Sequence, residues 1–203
     1  MKAILGSLLC LVLGASECFA IKGGPPYPGG ATSIVGTYAG VLQPVFDPTD
    51  PFSANSVGVF TLGLPSDGAS TGDFLMFTRG RVFGGTIQGV TDPNKAKITA
   101  LLNATFNYTL TIVGTDADGN LTTTTVDVTA TVNGPLNATV TSSRNPLAAS
   151  SALLTGDAVI FISNGGVEGN GDPTIDGTLS LDVMGFKQSN VAPASGTLTP
   201  PTQ

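Results

Sequence analysis

From Ile98 to Ile112 the chain alternates without a break. The even positions are Ile98, Ala100, Leu102, Ala104, Phe106, Tyr108, Leu110 and Ile112, and the odd positions between them are Thr or Asn except for Leu101. A period of two gives an extended chain one apolar and one polar face, the pattern of a half-buried antiparallel strand. Asn120 to Val132 repeats the pattern, with Val126, Val128, Ala130 and Val132 on one side. Two long amphipathic strands in succession predict a hairpin.

The register of that hairpin follows from its faces. Opposed residues share a face, and both apolar faces are even-numbered. A two-residue turn at Asp118-Gly119 would set Leu110 against Asp127 and bury a charge. A three-residue loop, Ala117-Asp118-Gly119, sets Leu110 against Val126, Tyr108 against Val128 and Phe106 against Ala130. It also puts Gly119 where the turn needs a positive φ. A five-residue loop serves the same register.

The turn region, "GTDADGNLTTTTVD", also carries a candidate metal site. Asp116, Asp118, Asn120 and Asp127 fall close to the ligand spacing of a calcium-binding loop. The register dismantles most of it, because Asp127 lies seven residues along a strand from Asn120, roughly 20 Å away at 3.3 Å per residue. The glycine is also misplaced, and the flanks are strands. What survives is three oxygen donors, Asp116, Asp118 and Asn120, as a calcium tip, against the plainer reading of a turn built from turn-forming residues. A second acidic loop, Gly165 to Gly177, has Glu168, Asp172 and Asp176 near one another as one imperfect copy of a calcium-roll repeat that needs tandem copies, against the plainer reading of a flexible hairpin loop.

Shorter alternating runs predict further strands at Ser33–Gln43, Ser56–Leu64, Asp73–Thr78, Arg81–Val90, Leu136–Ser142, Ala158–Ser163 and Thr174–Phe186, with room for a helical turn within Ser143–Asp157. The fold class is all-β: an antiparallel barrel or sandwich of about 8–10 strands with a long hairpin near 97–133. A transmembrane barrel fits poorly, since the chain has no Trp and no aromatic girdles.

The ends differ from the middle. Lys2, the apolar run Ala3 to Ala15 and small residues at Cys18 and Ala20 describe a secretory leader, residues 1–20, too short to span a bilayer. Residues 21–31 read as a Gly/Pro-rich linker, 32–188 as one β domain and 189–203 as a flexible tail. Cleavage after Ala20 removes Cys10 and Cys18, leaving a mature chain with no thiol. Its expected place is outside the cytoplasm, secreted or periplasmic.

Several chemistries lose their residues. The chain has no His, so His-based nucleophilic schemes and the usual zinc ligands are absent. A net charge of −6 with scattered basic residues argues against nucleic acid. A carboxylate pair is the chemistry that remains, but Asp47 and Asp50 stand beside prolines and read as shaping a loop, Asp73, Asp157 and Asp182 fall at strand ends or outer faces, and no pair is shown to flank a cleft. Arg79 and Arg81 flank a turn glycine and could grip an anion. Asn103, Asn107, Asn120 and Asn137 each begin an Asn-x-Thr glycosylation sequon. The segments "GTYAGVL" and "SVGVFTLGLPSDGASTGDF" resemble uncharacterised, secreted, β-rich bacterial proteins in which a Gly-x-Tyr-x-Gly strand precedes a Gly-x-Phe-Thr-Leu strand. The resemblance implies a secreted β protein and carries no activity. The expected role is a non-enzymatic structural, surface or binding domain, with no cofactor beyond calcium at the hairpin tip. The alternatives are a lipocalin-like carrier of a small apolar ligand, or a carbohydrate-active enzyme with a carboxylate pair. Its partners would be an apolar ligand, a glycan or a cell surface.

Overall fold

A computed structural model of the protein describes residues 34–49, 53–65, 68–92, 95–142, 152–168 and 175–190. The leader, the linker and the expected tail beyond Asn190 lie outside these residues. Eight strands follow one another: β1 (Gly36–Pro44), β2 (Val57–Leu64), β3 (Ala69–Thr78), β4 (Arg81–Asp92), β5 (Lys97–Thr115), β6 (Leu121–Ser142), β7 (Ala152–Ser163) and β8 (Gly177–Ser189). Each pairs antiparallel with the next, and β8 returns to pair with β1, closing an up-and-down barrel. The only helical piece among the described residues is a 3₁₀ turn at Ser53–Asn55.

The hairpin has the register that its faces require. Leu110 opposes Val126, Tyr108 opposes Val128 and Phe106 opposes Ala130. The Gly119 amide donates to the Asp116 carbonyl at 3.1 Å, and the Asp116 amide to the Asn120 carbonyl at 2.9 Å. With φ at +85° for Gly119, this is the three-residue loop.

Two expectations need correction. The runs at Asn120–Val132 and Leu136–Ser142 are one strand, because Gly134-Pro135 does not end β6. Pro135 stays paired to Leu101 of β5, while the β6–β7 pairing skips Gly134 and Pro135. A proline can sit in a strand where the hydrogen-bond ladder has a gap. The strand expected at Ala158–Ser163 begins earlier, at Ala152, so the second half of the segment that had room for a helical turn is extended chain. Its first half lies outside the described residues.

The interior is filled by the inward-pointing residues of every strand. Tyr38, Leu62, Ile87, Leu102, Leu154 and Ile160 are fully buried. Where a glycine points inward, an aromatic ring takes the space. A Cβ on Gly185 would stand 2.7 Å from Phe60 Cζ, and one on Gly85 would stand 2.6 Å from Phe74 Cε1. Other inward glycines let strands approach each other. A Cβ on Gly40 would stand 2.5 Å from Gly185 Cα, and one on Gly156 would stand 2.6 Å from Ala138 Cα. No residue larger than glycine fits such an approach without moving a strand.

Buried polar side chains among the described residues all have hydrogen-bond partners. The Ser56 hydroxyl donates to Thr78 Oγ1 at 2.6 Å near one end, and Ser70 bonds Thr91 near the other. Tyr38 donates to the Ile34 carbonyl at 2.9 Å, and burial pushes its phenol up to about 12. The outer face of β5 is polar, carrying Thr99, Asn103, Thr105, Asn107 and Thr109 in exposed positions. A transmembrane barrel has its apolar side outward; here the apolar side of β5 and β6 faces in.

Two outcomes follow from this packing. Gly40→Ala should cost about 1–3 kcal/mol of stability through overpacking. Gly114→Ala, whose nearest neighbour would be Thr122 Oγ1 at 3.4 Å, should stay within about 1 kcal/mol of wild type; urea unfolding measures both. Tyr38 holds its proton more tightly when folded, so its contribution is complete below about pH 10 and is lost as pH rises through about 12. Tyr38→Phe should therefore show a shallower loss of stability across that window in alkaline unfolding curves.

Candidate functional site

The up-and-down topology sends β1, β3, β5 and β7 to one end, here called the hairpin end. Four connections meet there, and they hold most of the side chains with chemistry. Arg79 and Gly80 form the β3–β4 turn, with φ of 50° and 72°. Two residues with positive φ match the right-handed twist of a tight hairpin. That turn lays Arg79 against Gly177, whose missing Cβ would stand 2.6 Å from Arg79 Nη2.

Arg81 begins β4 and points inward. Its guanidinium carbon sits 4.4 Å from the centre of the Tyr108 ring. Tyr108 heads an aromatic stack down the wall: Phe106 at 5.8 Å from Tyr108, Phe83 at 4.8 Å from Phe106 and nearly parallel to it, then Phe74 edge-on at 6.3 Å from Phe83. The ladder between β4 and β5 ends at Thr86 and Asn103, yet the rings keep the two chains together beyond it. An arginine over an aromatic face is attracted by the ring quadrupole.

Asn164 latches this end. Its Nδ2 donates to Tyr108 Oη and, at 2.9 Å, to the Val167 carbonyl. Its amide donates to Asp176 Oδ1, and its Oδ1 accepts from the Gly166 amide at 3.1 Å. The side chain is 6% exposed with donor and acceptor both used. A buried network with its members satisfied holds loops in one arrangement. Arg79 and Arg81, which from sequence could grip an anion or form a solvated turn, lie instead against Gly177 and the Tyr108 ring at the barrel end. Of the second acidic loop, Asp176 serves Asn164, Glu168 is exposed, and Asp172 lies outside the described residues.

At the hairpin tip Asp116 is engaged by its own turn. Its Oδ1 accepts the amides of Asp118 at 3.0 Å and Asn120 at 2.8 Å, and its Oδ2 accepts Asn120 Nδ2 at 3.2 Å. The Asn120 amide, then the Asn120 side chain and the Asp118 and Gly119 amides, hold the carboxyl below its usual range. A calcium ion coordinated here would compete with these donors. Asp127 is far down the strand, accepting from Thr109 Oγ1 at 3.0 Å on the outer face. No group of three or more acidic, His or Cys side chains among the described residues is placed to hold a metal.

One carboxylate pair escaped the sequence reading. Asp157 of β7 and Asp182 of β8 are directly opposed on the outer face, with Asn137 beyond Asp157 on β6 and Gln43 beyond Asp182 on β1. Like charges on opposed rungs repel. The signal was the parity of both strands, but it needed the β7–β8 register, which a long loop leaves open. Asp73 stands on the outer face between Thr61 and Thr86, where desolvation pushes it up. Asp47 shapes its own loop, accepting from the Thr49 amide at 2.8 Å and the Thr49 hydroxyl at 2.6 Å; Asp50 lies outside the described residues. That loop and the start of β8 border a cleft of about 360 Å³ lined by Phe46, Asp47, Ser53 and Thr178. The four sequon asparagines sit on β5, on β6 and at the tip, exposed or half-exposed.

No protein-family model matches the chain, and neither a curated protein nor a solved structure does. The function is therefore argued from these residues.

The Asp116 turn has a pH signature. Its depressed folded value makes its contribution complete above about pH 4 and lost as pH falls through that lower value. The melting temperatures of wild type and Asp116→Ala should differ at neutral pH and converge in acid. Calcium titration checks the tip: an ion held there would raise the melting temperature of wild type and not of Asp118→Ala.

Proposed function

We propose that this chain is an exported, non-enzymatic β-barrel domain with a structural or binding role, acting through its outer surface. The observation that supports it is the packed interior. Phe60 and Phe74 occupy the volume opposite Gly185 and Gly85, and the large side chains around them are fully buried. A carrier needs that space for its ligand. The eight-stranded meander is the architecture of small-ligand carriers, which keeps the carrier as the second reading. The carbohydrate-active reading asks for two carboxyl groups facing each other across a groove. Asp157 and Asp182 are instead neighbours on one wall. Export rests on the leader-like residues 1–20 and on the resemblance of "GTYAGVL" and "SVGVFTLGL" to secreted β-rich proteins.

Outside, β8, β1, β2 and β3 present a continuous apolar rung. Met184 opposes Val41, Val41 opposes Val59, and Val59 opposes Leu75, with Phe186 one rung away. Met184 and Phe186 are about half exposed, at 47% and 51%. Apolar surface in one place is what a binding module offers.

Titration with a fluorescent fatty acid separates the readings. The packed barrel should show no saturable uptake. Stoichiometric, saturable binding, weakened when Gly185→Ala pushes Phe60, would favour the carrier.

A further inference from the structure

The β5–β6 hairpin outruns its neighbours. β4 begins at Arg81, and β7 ends at Ser163 opposite Thr131. From Leu121 to Ala130, β6 pairs with β5 on one side and with no described residue on the other. Ten residues of open strand edge span roughly 33 Å at 3.3 Å per residue.

Alternation fixes which groups are open. Asp116 and Asn120 are bonded across the turn. Hydrogen-bonded pairs recur at every second rung, so the even residues of β6 bond inward to β5. The amides and carbonyls of Leu121, Thr123, Thr125, Asp127 and Thr129 then point to the open edge. Natural edges are guarded by Lys, Pro, bulges or short length. Leu121–Thr131, "LTTTTVDVTAT", contains no Lys, Arg, Pro or Gly, and its one charge is Asp127. Below this stretch Pro135 interrupts the β6–β7 ladder, so proline is spent where the strand is covered and is absent where it is open.

We propose that this edge pairs with the same edge of a second copy of the chain, antiparallel across a twofold axis. The open groups are all on odd residues, so bonded rungs join odd to odd and the faces match: Val126 and Val128 of both copies lie on one side and the threonines on the other. Registers centred on Thr124, Thr125 or Val126 set Asp127 opposite Leu121, Thr123 or Thr125 of the second copy. A centre on Asp127 would set two carboxylates face to face, and that register is disfavoured. The product is a four-stranded sheet in the order β5-β6-β6-β5 bridging two barrels by an isologous contact. The other ribbon edge, on β5, runs from Ala104 to Thr115 past the last β4 rung, but Phe83 and Arg81 of β4 lie against its Phe106 and Tyr108, it holds Gly114, and its Val113 already has an interaction partner.

Sedimentation velocity under reducing conditions tests this on the wild-type protein, Thr125→Pro and Thr111→Pro. Each proline removes an N–H that points away from the hairpin's own bonds, Thr125 on the β6 edge and Thr111 on the β5 edge. The expected result is a dimer for wild type and Thr111→Pro and a monomer for Thr125→Pro. Thr125→Lys, a charge on the same edge, should also be monomeric, and circular dichroism should show the same fold in all four. A wild type that stays monomeric at its highest soluble concentration overturns the proposal. So does a Thr125→Pro dimer, or a dimer that Thr111→Pro abolishes.

Discussion

Everything here depends on the closing of one sheet, and closing depends on places where two backbones nearly touch. A sheet of eight strands must bend sharply to meet itself. At Gly40 and Gly156 the neighbouring chain stands where a side chain would begin. Those approaches let the strands coil tightly enough for β8 to reach β1. The same tightness shrinks the interior, which rings from Phe60 and Phe74 then fill by lying over Gly185 and Gly85. The inward faces of this barrel are apolar, and the polar groups described above gather at its ends and on its outer wall.

The hairpin end shows how polar groups are accommodated at the mouth of such a barrel. Arg81 and Tyr108 point inward at the rim, where neither could be buried alone. Stacking settles the cation on the ring, and Asn164 ties the ring to the β7–β8 connection. Beyond the rim the barrel stops and the β5–β6 ribbon continues, held by its threonines and by the Asp116 turn. Outer-face pairs such as Thr109 with Asp127 and Thr129 with Asn107 link the two strands by side chain as well as by backbone.

How much of this could be read beforehand differs from place to place. The ribbon's register was legible because two apolar faces of fixed parity allow one pairing, and Gly119 marks the turn. β2 and β4 were legible for the same reason, each bounded by turn residues. β6 was misread as two strands because Gly134-Pro135 looks like a break. A proline's missing donor matters only on the side where a neighbour asks for it, and the ladder to β7 has a gap there. Closure was not legible, since a barrel and a sandwich share the same alternation and differ in whether the first strand meets the last. At the hairpin end, Arg81 and Tyr108 were separately visible, but their contact needs the β4–β5 register carried past the last bonded rung. Asp157 and Asp182 were each visible as outer-face acids, and a long connection hid that they are opposed.

The pairing of β1 with β8 also sets an order of events. Pro44 lies opposite Leu181, so the seam that completes the barrel joins residues from nearly opposite ends of the described chain. The first strand has one edge without a partner until the last has been made. Loops that long are slow to close, and a chain with one seam open exposes pairing edges meanwhile. A nascent chain of this design stays unfinished until its C-terminal strand is free. Under the export proposed above, that order leaves the barrel unclosed until β8 has been delivered.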